Sequence, residues 1–185
     1  MGRWEPDTQG RMISAAMDLF AARGFEQTTA GDIAERAGVT ERTFFRHFTD
    51  KREVLFDAAR TMDRVAHDAI LGTPADLAPL DAALVGMVAA GDLLAERRDY
   101  VVRRAGIIAA NPGLQERELV KLAGMVDTAA ATLRERGVAE PVASLAAHSA
   151  VTVFRVAFAR WVATADPPTF AACVTDAAAE LRDLL

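Results

Sequence analysis

The side chains best placed to do chemistry lie in the run TERTFFRHFTDK, from Thr40 to Lys51, and the chemistry is recognition rather than bond-making. Phe44 and Phe48 stand four residues apart, so a helix here has an apolar side to bury, while Thr40, Arg42, Thr43 and Arg46 fall mostly elsewhere. Guanidinium groups pair with phosphate oxygens and, bidentately, with the edge of guanine, and a threonine methyl meets the methyl of thymine. Arg42 and Thr43 are therefore the candidate base-edge contacts. Other chemistries find little support. A thiolate at Cys173 activated by His148 would need an approach that nothing specifies. His47, His67 and His148 lack metal-ligand spacing, and no glycine-rich phosphate loop is present. The sequence thus predicts no catalytic residues, no metal and no cofactor.

The elements that must hold this run are short and well punctuated. Thr29 precedes Ile33 and Ala37 at helical spacing, with Asp32 placed to face the free N–H groups of a helix that starts near Ala30. Gly38 ends it through a left-handed backbone, and Thr40 caps a second helix carrying Glu41 to His47. Two short helices joined by a tight glycine turn have the layout of a helix-turn-helix. Ile13, Ala16, Met17 and Phe20 predict a bracing helix that ends near Gly24. Asp50 and Glu53 look like a capping box for a further helix, with Val54, Leu55 and Ala58 as its apolar stripe. That helix is expected to run on through Met62, Val65 and Ala69 to about Leu71 without a spacer.

The stretch GFEQTTAGDIAERAGVTERTFFRHFTDKREVL resembles the DNA-binding signature of the TetR family of bacterial transcriptional regulators. Arg23-Gly24-Phe25, Thr28-Thr29, Ile33-Ala34, Ala37-Gly38-Val39, Thr43, Phe48, Lys51 and Leu55 carry the match, across roughly residues 10 to 56. The ERTFFRHF wording also resembles an actinobacterial, mycofactocin-regulator-like subgroup. The family commonly has a small residue where Arg42 sits and a tyrosine where Phe45 sits. Phe45 has no hydroxyl to give a phosphate, and Arg42 with Arg46 can restore backbone affinity.

The resemblance implies an all-α protein of about nine helices, with a helix-turn-helix DNA-binding domain over 1–56 and a ligand-binding and dimerisation domain over 57–185. It implies a DNA-facing set of Thr28, Thr29, Thr40, Glu41, Arg42, Thr43, Phe45, Arg46, His47 and Lys51. Within this set Thr28, Thr29, Phe45, His47 and Lys51 hold or flank the phosphate backbone; a packed surface histidine is an equal reading of His47. The implied partners are double-stranded DNA with a palindromic operator, a second copy of the chain, and a small apolar or amphipathic effector whose binding releases a repressor. A helical dimer that senses a ligand or protein without touching DNA is the alternative.

Composition sets the outer limits. A chain of 185 residues with 51% hydrophobic content, rich in alanine and leucine at helical spacing, fits a small head on a larger all-α body. The net charge of −5 looks wrong for a nucleic-acid binder. Local placement matters more: residues 36–52 hold Arg36, Arg42, Arg46, Lys51 and Arg52 against only Glu41 and Asp50. One cysteine excludes an internal disulfide. The N-terminus lacks the apolar run of a secretory signal, and no segment offers roughly 18 uninterrupted apolar residues, so a cytoplasmic location without membrane is expected.

Further along, Gly72-Thr73-Pro74, Asn111-Pro112-Gly113, Gly137 and Pro167-Pro168 break the chain into helices. Met62, Met87, Met125, Phe154 and Phe158 fall on segments that ought to surround the centre of the body. They are the candidate ligand-binding residues, although such residues more often fill a core. Phe170, Val174, Ala177, Leu181 and Leu184 follow near-heptad spacing in the last helix. With Phe154, Phe158 and Trp161, Phe170, Val174 and Leu181 are the candidates for a four-helix dimer interface, with intramolecular core the equal alternative for each.

Overall fold

The chain is described by a computed structural model over residues 7–184, and its regular structure is helical throughout. Among the described residues there are nine α-helices: α1 Thr8–Arg23, α2 Ala30–Arg36, α3 Glu41–His47, α4 Ala59–Leu71, α5 Pro79–Ala95, α6 Arg98–Ala109, α7 Pro112–Glu135, α8 Val142–Ala163 and α9 Phe170–Asp183. A single 3-10 turn, Glu53–Phe56, precedes α4.

Packing divides the chain into two compact units. The first comprises the chain up to Asp57 together with Val102–Glu118; the second comprises Ala58–Val101 and the chain from Leu119 onward. A single cut after residue 56 therefore does not describe the packing, because a segment from the middle of the sequence joins the first unit. The first six residues of the expected domain lie outside the described ones.

In the first unit, α2 and α3 have only seven residues each, too short to persist on propensity alone, so caps and burial hold them. Thr29 and Asp32 form a reciprocal capping box: the Asp32 N–H donates to Thr29 Oγ1 at 3.1 Å and the Thr29 N–H to Asp32 Oδ2 at 2.8 Å. At the far end Gly38 adopts φ +69°, which lets the Val39 N–H reach the Ala34 carbonyl at 2.9 Å and close α2. Met12, Met17, Phe20, Ile33, Phe44 and Phe48 are buried beneath them. Full burial of Phe44 contributes about 1.5 to 3 kcal/mol.

The helix expected to run unbroken from Asp50 to Leu71 is interrupted. Asp50 does cap it, accepting from the Arg52 and Glu53 N–H groups at 2.7 and 3.3 Å. The Glu53 carboxylate, however, turns away to Arg117 at 2.6 Å instead of completing a capping box. Only four residues of 3-10 turn follow, and α4 begins at Ala59. The physical reason is the Leu55 carbonyl, which accepts from Arg104 Nε at 2.5 Å where a continuous α-helix would have offered it to the backbone of Ala59. Val54, Leu55 and Phe56 are all buried, so the turn is covered on several sides at once.

In the second unit α5 packs on α4, α8 and α9. Its glycines allow close approach: a Cβ at Gly91 would strike the ring of Phe170, and one at Gly86 would reach Ile70 at 2.6 Å. Phe170 stands at the centre, 5.3 Å from Phe154 and 5.8 Å from Trp161 between ring centroids.

One sequence expectation is corrected here. Phe154, Trp161, Phe170 and Val174, expected at an interface between copies, are buried within one chain, and only Phe158 and Leu181 are partly exposed. Large aromatic rings bury the most area, so they turn inward and leave the outer side of α8 to smaller residues. By length and composition α8 would suffice to cross a bilayer, although polar residues interrupt its apolar run. Its face of Ala143, Ala147, Ala150, Phe154, Ala157 and Trp161 instead lies in the unit's core.

Candidate nucleic-acid interface

Helix α3 presents the polar side that its sequence predicts. Phe44 is sealed and Phe48 buried, while Thr40, Glu41, Arg42, Phe45, Arg46 and His47 are exposed and Thr43 is half-buried. The Thr40 hydroxyl accepts from the Thr43 N–H at 3.1 Å and lies 3.0 Å from the Thr43 hydroxyl. One shared hydrogen serves that contact, so one of the two hydroxyl protons is left to donate outward. Phe45 is 51% exposed and rests edge-on against Phe44, with 5.4 Å between ring centroids. An apolar ring thus sits within a turn of both Arg42 and Arg46.

The neighbouring cations divide sharply. Arg36 is paired with Asp18 at 3.1 Å and Arg52 with Asp50 at 2.7 Å. Lys51 Nζ donates to the carbonyls of Phe25, Thr28 and Glu26 at 2.8, 2.9 and 3.3 Å and lies 4.3 Å from the centre of the Phe25 ring. An ammonium has three protons, and all three are directed into the protein. Arg42 and Arg46 make no hydrogen bond or ion pair with the described residues, so the local positive surplus resides in these two groups.

Two of the residues that the resemblance puts at the phosphate backbone are therefore structural here. Lys51 braces the loop between α1 and α2. Thr28 is fully buried with its hydroxyl on the Gly24 carbonyl at 2.9 Å, out of reach of any ligand. Thr29 is exposed, but its hydroxyl donates to Asp32 Oδ2 at 2.7 Å. Those hydrogen bonds from Thr29, with the Arg23 guanidinium at 2.6 Å, lower the Asp32 pKa to about 2. His47 is exposed, with the Phe48 ring as its neighbour at 6.4 Å.

The segment Val102–Glu118 supplies support that sequence reading missed. Arg104 donates from Nε to the Leu55 carbonyl and from Nη1 to Glu118 at 3.1 Å, with its guanidinium 5.0 Å from the Phe56 ring centre. Arg117 grips Glu53, and Arg103 reaches Asp18 at 3.3 Å. Hydrogen bonds from Arg36 and then Arg103 hold the Asp18 carboxyl below the usual carboxylate range.

Comparison with known proteins locates the same region. Residues 12–58 match the family model described as bacterial regulatory proteins, tetR family. The chain is 34% identical over 113 residues to the HTH-type transcriptional regulator TcmR of Streptomyces glaucescens, covering 58% of this chain and 50% of that one. It is 37% identical over 54 residues to the mycofactocin biosynthesis transcriptional regulator MftR of Mycobacterium tuberculosis, covering 29% and 27%. That short stretch does not assign the narrower subgroup. The chain spans half or less of the length of these curated relatives. These relatives are transcriptional regulators and not enzymes. Among solved structures, Thermus thermophilus FadR, a TetR-family repressor in complex with lauroyl-CoA, shares the fold with a TM-score of 0.58 at 23% identity, over 94% of this chain and 93% of that one. Residues 12–58, which hold the capped α2–α3 pair, thus match the DNA-binding region of the TetR family of bacterial regulatory proteins, and the all-α fold of the chain is shared with a member of that family.

Proposed function

We propose that the chain is a homodimeric repressor that reads a palindromic operator with α3 and releases it when a small apolar effector enters the second unit. The observation that carries this reading is the contrast on α3: Arg42 and Arg46 have no partner among the described residues, while Arg36, Lys51 and Arg52 around them are all engaged. An unpaired, pre-positioned guanidinium pair beside an exposed ring suits a major groove, where Arg42 reads a base edge and Arg46 a phosphate. Two copies related by a two-fold axis would place their α3 helices about 34 to 36 Å apart, one turn of duplex.

The outer side of α8 supports self-association better than the residues first nominated. Val142, Leu145, Thr152, Val156 and Ala159 are exposed at spacings of three, four and seven, and Ser149 between them is half-buried. These residues are small or apolar and allow two helices to approach closely. For the effector, Met62, Met87, Met125, Phe154 and Phe158 all belong to, or pack against, the core of the second unit. Methionine re-packs readily, so this core can open for the apolar part of an amphipathic guest, and FadR of T. thermophilus holds one such molecule, lauroyl-CoA. Couplings of this type are about 1 to 3 kcal/mol, or five- to 150-fold in operator affinity.

Selection of bound fragments from genomic DNA tests the reading. An inverted repeat should be enriched, and the Arg42→Ala/Arg46→Ala double variant should lose it. Equal enrichment by wild type and double variant would overturn the role of α3.

A further inference from the structure

We propose that a groove in the first unit, between the end of α1 and the second half of α6, binds a small apolar monocarboxylate, with the carboxylate on Arg103 and the hydrocarbon between Phe20, Phe25 and Ile107. The site is separate from the core of the second unit and does not depend on the operator reading.

The groove has a volume of about 320 Å³ and an almost wholly carbon lining. That is the small end of ligand-pocket sizes, which run from about 300 to 1,000 Å³. Phe20 and Phe25 form one wall, their ring centroids 5.1 Å apart, and Ile107 the other. Gly24 and Gly106 leave it open. Gly106 lies inside α6, where glycine weakens a helix, yet a Cβ there would meet no atom within 4 Å. Packing does not require the glycine; open space is what it provides.

Charge at the rim selects the head group. Asp18 lies between Arg36 at 3.1 Å and Arg103 at 3.3 Å, so two guanidinium groups share one carboxylate and a positive charge is left over. Arg103 engages only Nη2, through Asp18 and the Met17 carbonyl at 3.4 Å, and its side chain is half exposed. Its remaining N–H groups can take a carboxylate as a two-bonded fork while Asp18 keeps Arg36. A cationic head group meets the wrong sign, and a neutral one leaves the surplus uncompensated.

The test uses the full chain without DNA and 3-phenylpropanoate as probe, with 3-phenylpropanamide as its neutral twin, followed by calorimetry and ligand-observed NMR. Saturable one-to-one binding of the acid is expected, at least about tenfold weaker for the amide and for Arg103→Gln, the ratio that loss of one charged hydrogen bond gives. Gly106→Leu should fill the groove and abolish binding while the helical signal and melting profile persist. If that variant fails to fold, the amide and Arg103→Gln comparisons decide. Absence of saturable binding, equal binding of acid and amide, unchanged affinity in Arg103→Gln, or full affinity in a folded Gly106→Leu would each overturn the proposal.

Discussion

Replacing Lys51 by methionine separates two roles that the sequence alone merges. The family resemblance places Lys51 beside phosphate, where its loss would shallow the dependence of log affinity on log salt by about 0.9 and leave stability untouched. The geometry predicts the reverse. Two hydrogen bonds from the ammonium, to Phe25 and Thr28, are shorter than 3 Å, and a third, to Glu26, is longer. Bonds of this charged kind contribute about 1.5 to 3 kcal/mol each when buried. Lys51 is half-buried and water can reach part of the loop, so the lower end applies, and methionine retains the stem that packs near Phe25. A loss of about 2 to 3 kcal/mol follows. With a urea slope of about 1 to 3 kcal/mol per molar, the midpoint should fall by roughly 0.7 to 3 M, alongside faster amide exchange in residues 25–36. Operator affinity of the folded variant should keep the wild-type salt slope. An unchanged urea midpoint together with a slope shallower by about one would refute the brace and restore the phosphate contact.

Other outcomes follow from the same geometry. Arg42→Ala should relax preference at one base pair per half-site by about 1 to 3 kcal/mol, read by competition with single-base operator variants; a uniform loss across all sequences would show that Arg42 touches only phosphate. Its hydrogen bonds hold the Asp32 pKa at about 2, below the ordinary carboxylate value of 3.8, so its capping contribution is present above about 4 and lost as pH falls toward 2. Amide protection in α2, corrected for the intrinsic exchange rate at each pH, should therefore fall across that window in wild type and stay level in Asp32→Asn. Leu145→Glu, at a side chain 64% exposed, should shift the chain toward monomer in sedimentation at micromolar concentration without lowering its helix content. A dimer of unchanged strength would exclude the outer side of α8 from the interface.

Local signals made the reading head legible. Thr29 with Asp32, Gly38 and Thr40 act within four residues of themselves, and each cap sits where its chemistry requires. The partners that escaped notice are of two kinds. Lys51 and Thr28 bond to backbone carbonyls, which every residue carries and no sequence pattern marks. Arg104 and Arg117 act across about 50 to 60 positions, and the 3-10 turn exists because one of them claims a carbonyl. Burial of the interface candidates within the chain was hidden for a different reason. Helix α8 is apolar on several sides, so periodicity does not say which side faces inward. Volume decides: Phe154 and Trp161 are buried, and Leu145 and Val156 are left outside.

The chain leaves the first unit after Asp57 and returns to it at Val102. A reading head excised at residue 57 would lose Arg103, Arg104 and Arg117, and with them every fastening on Asp18, Leu55 and Glu53 that the returning segment supplies. Grafting α3 with its supports onto a relative thus calls for transplanting two separate stretches of sequence. A chimera joined at one seam would inherit α3 on a scaffold whose clasps belong to another protein.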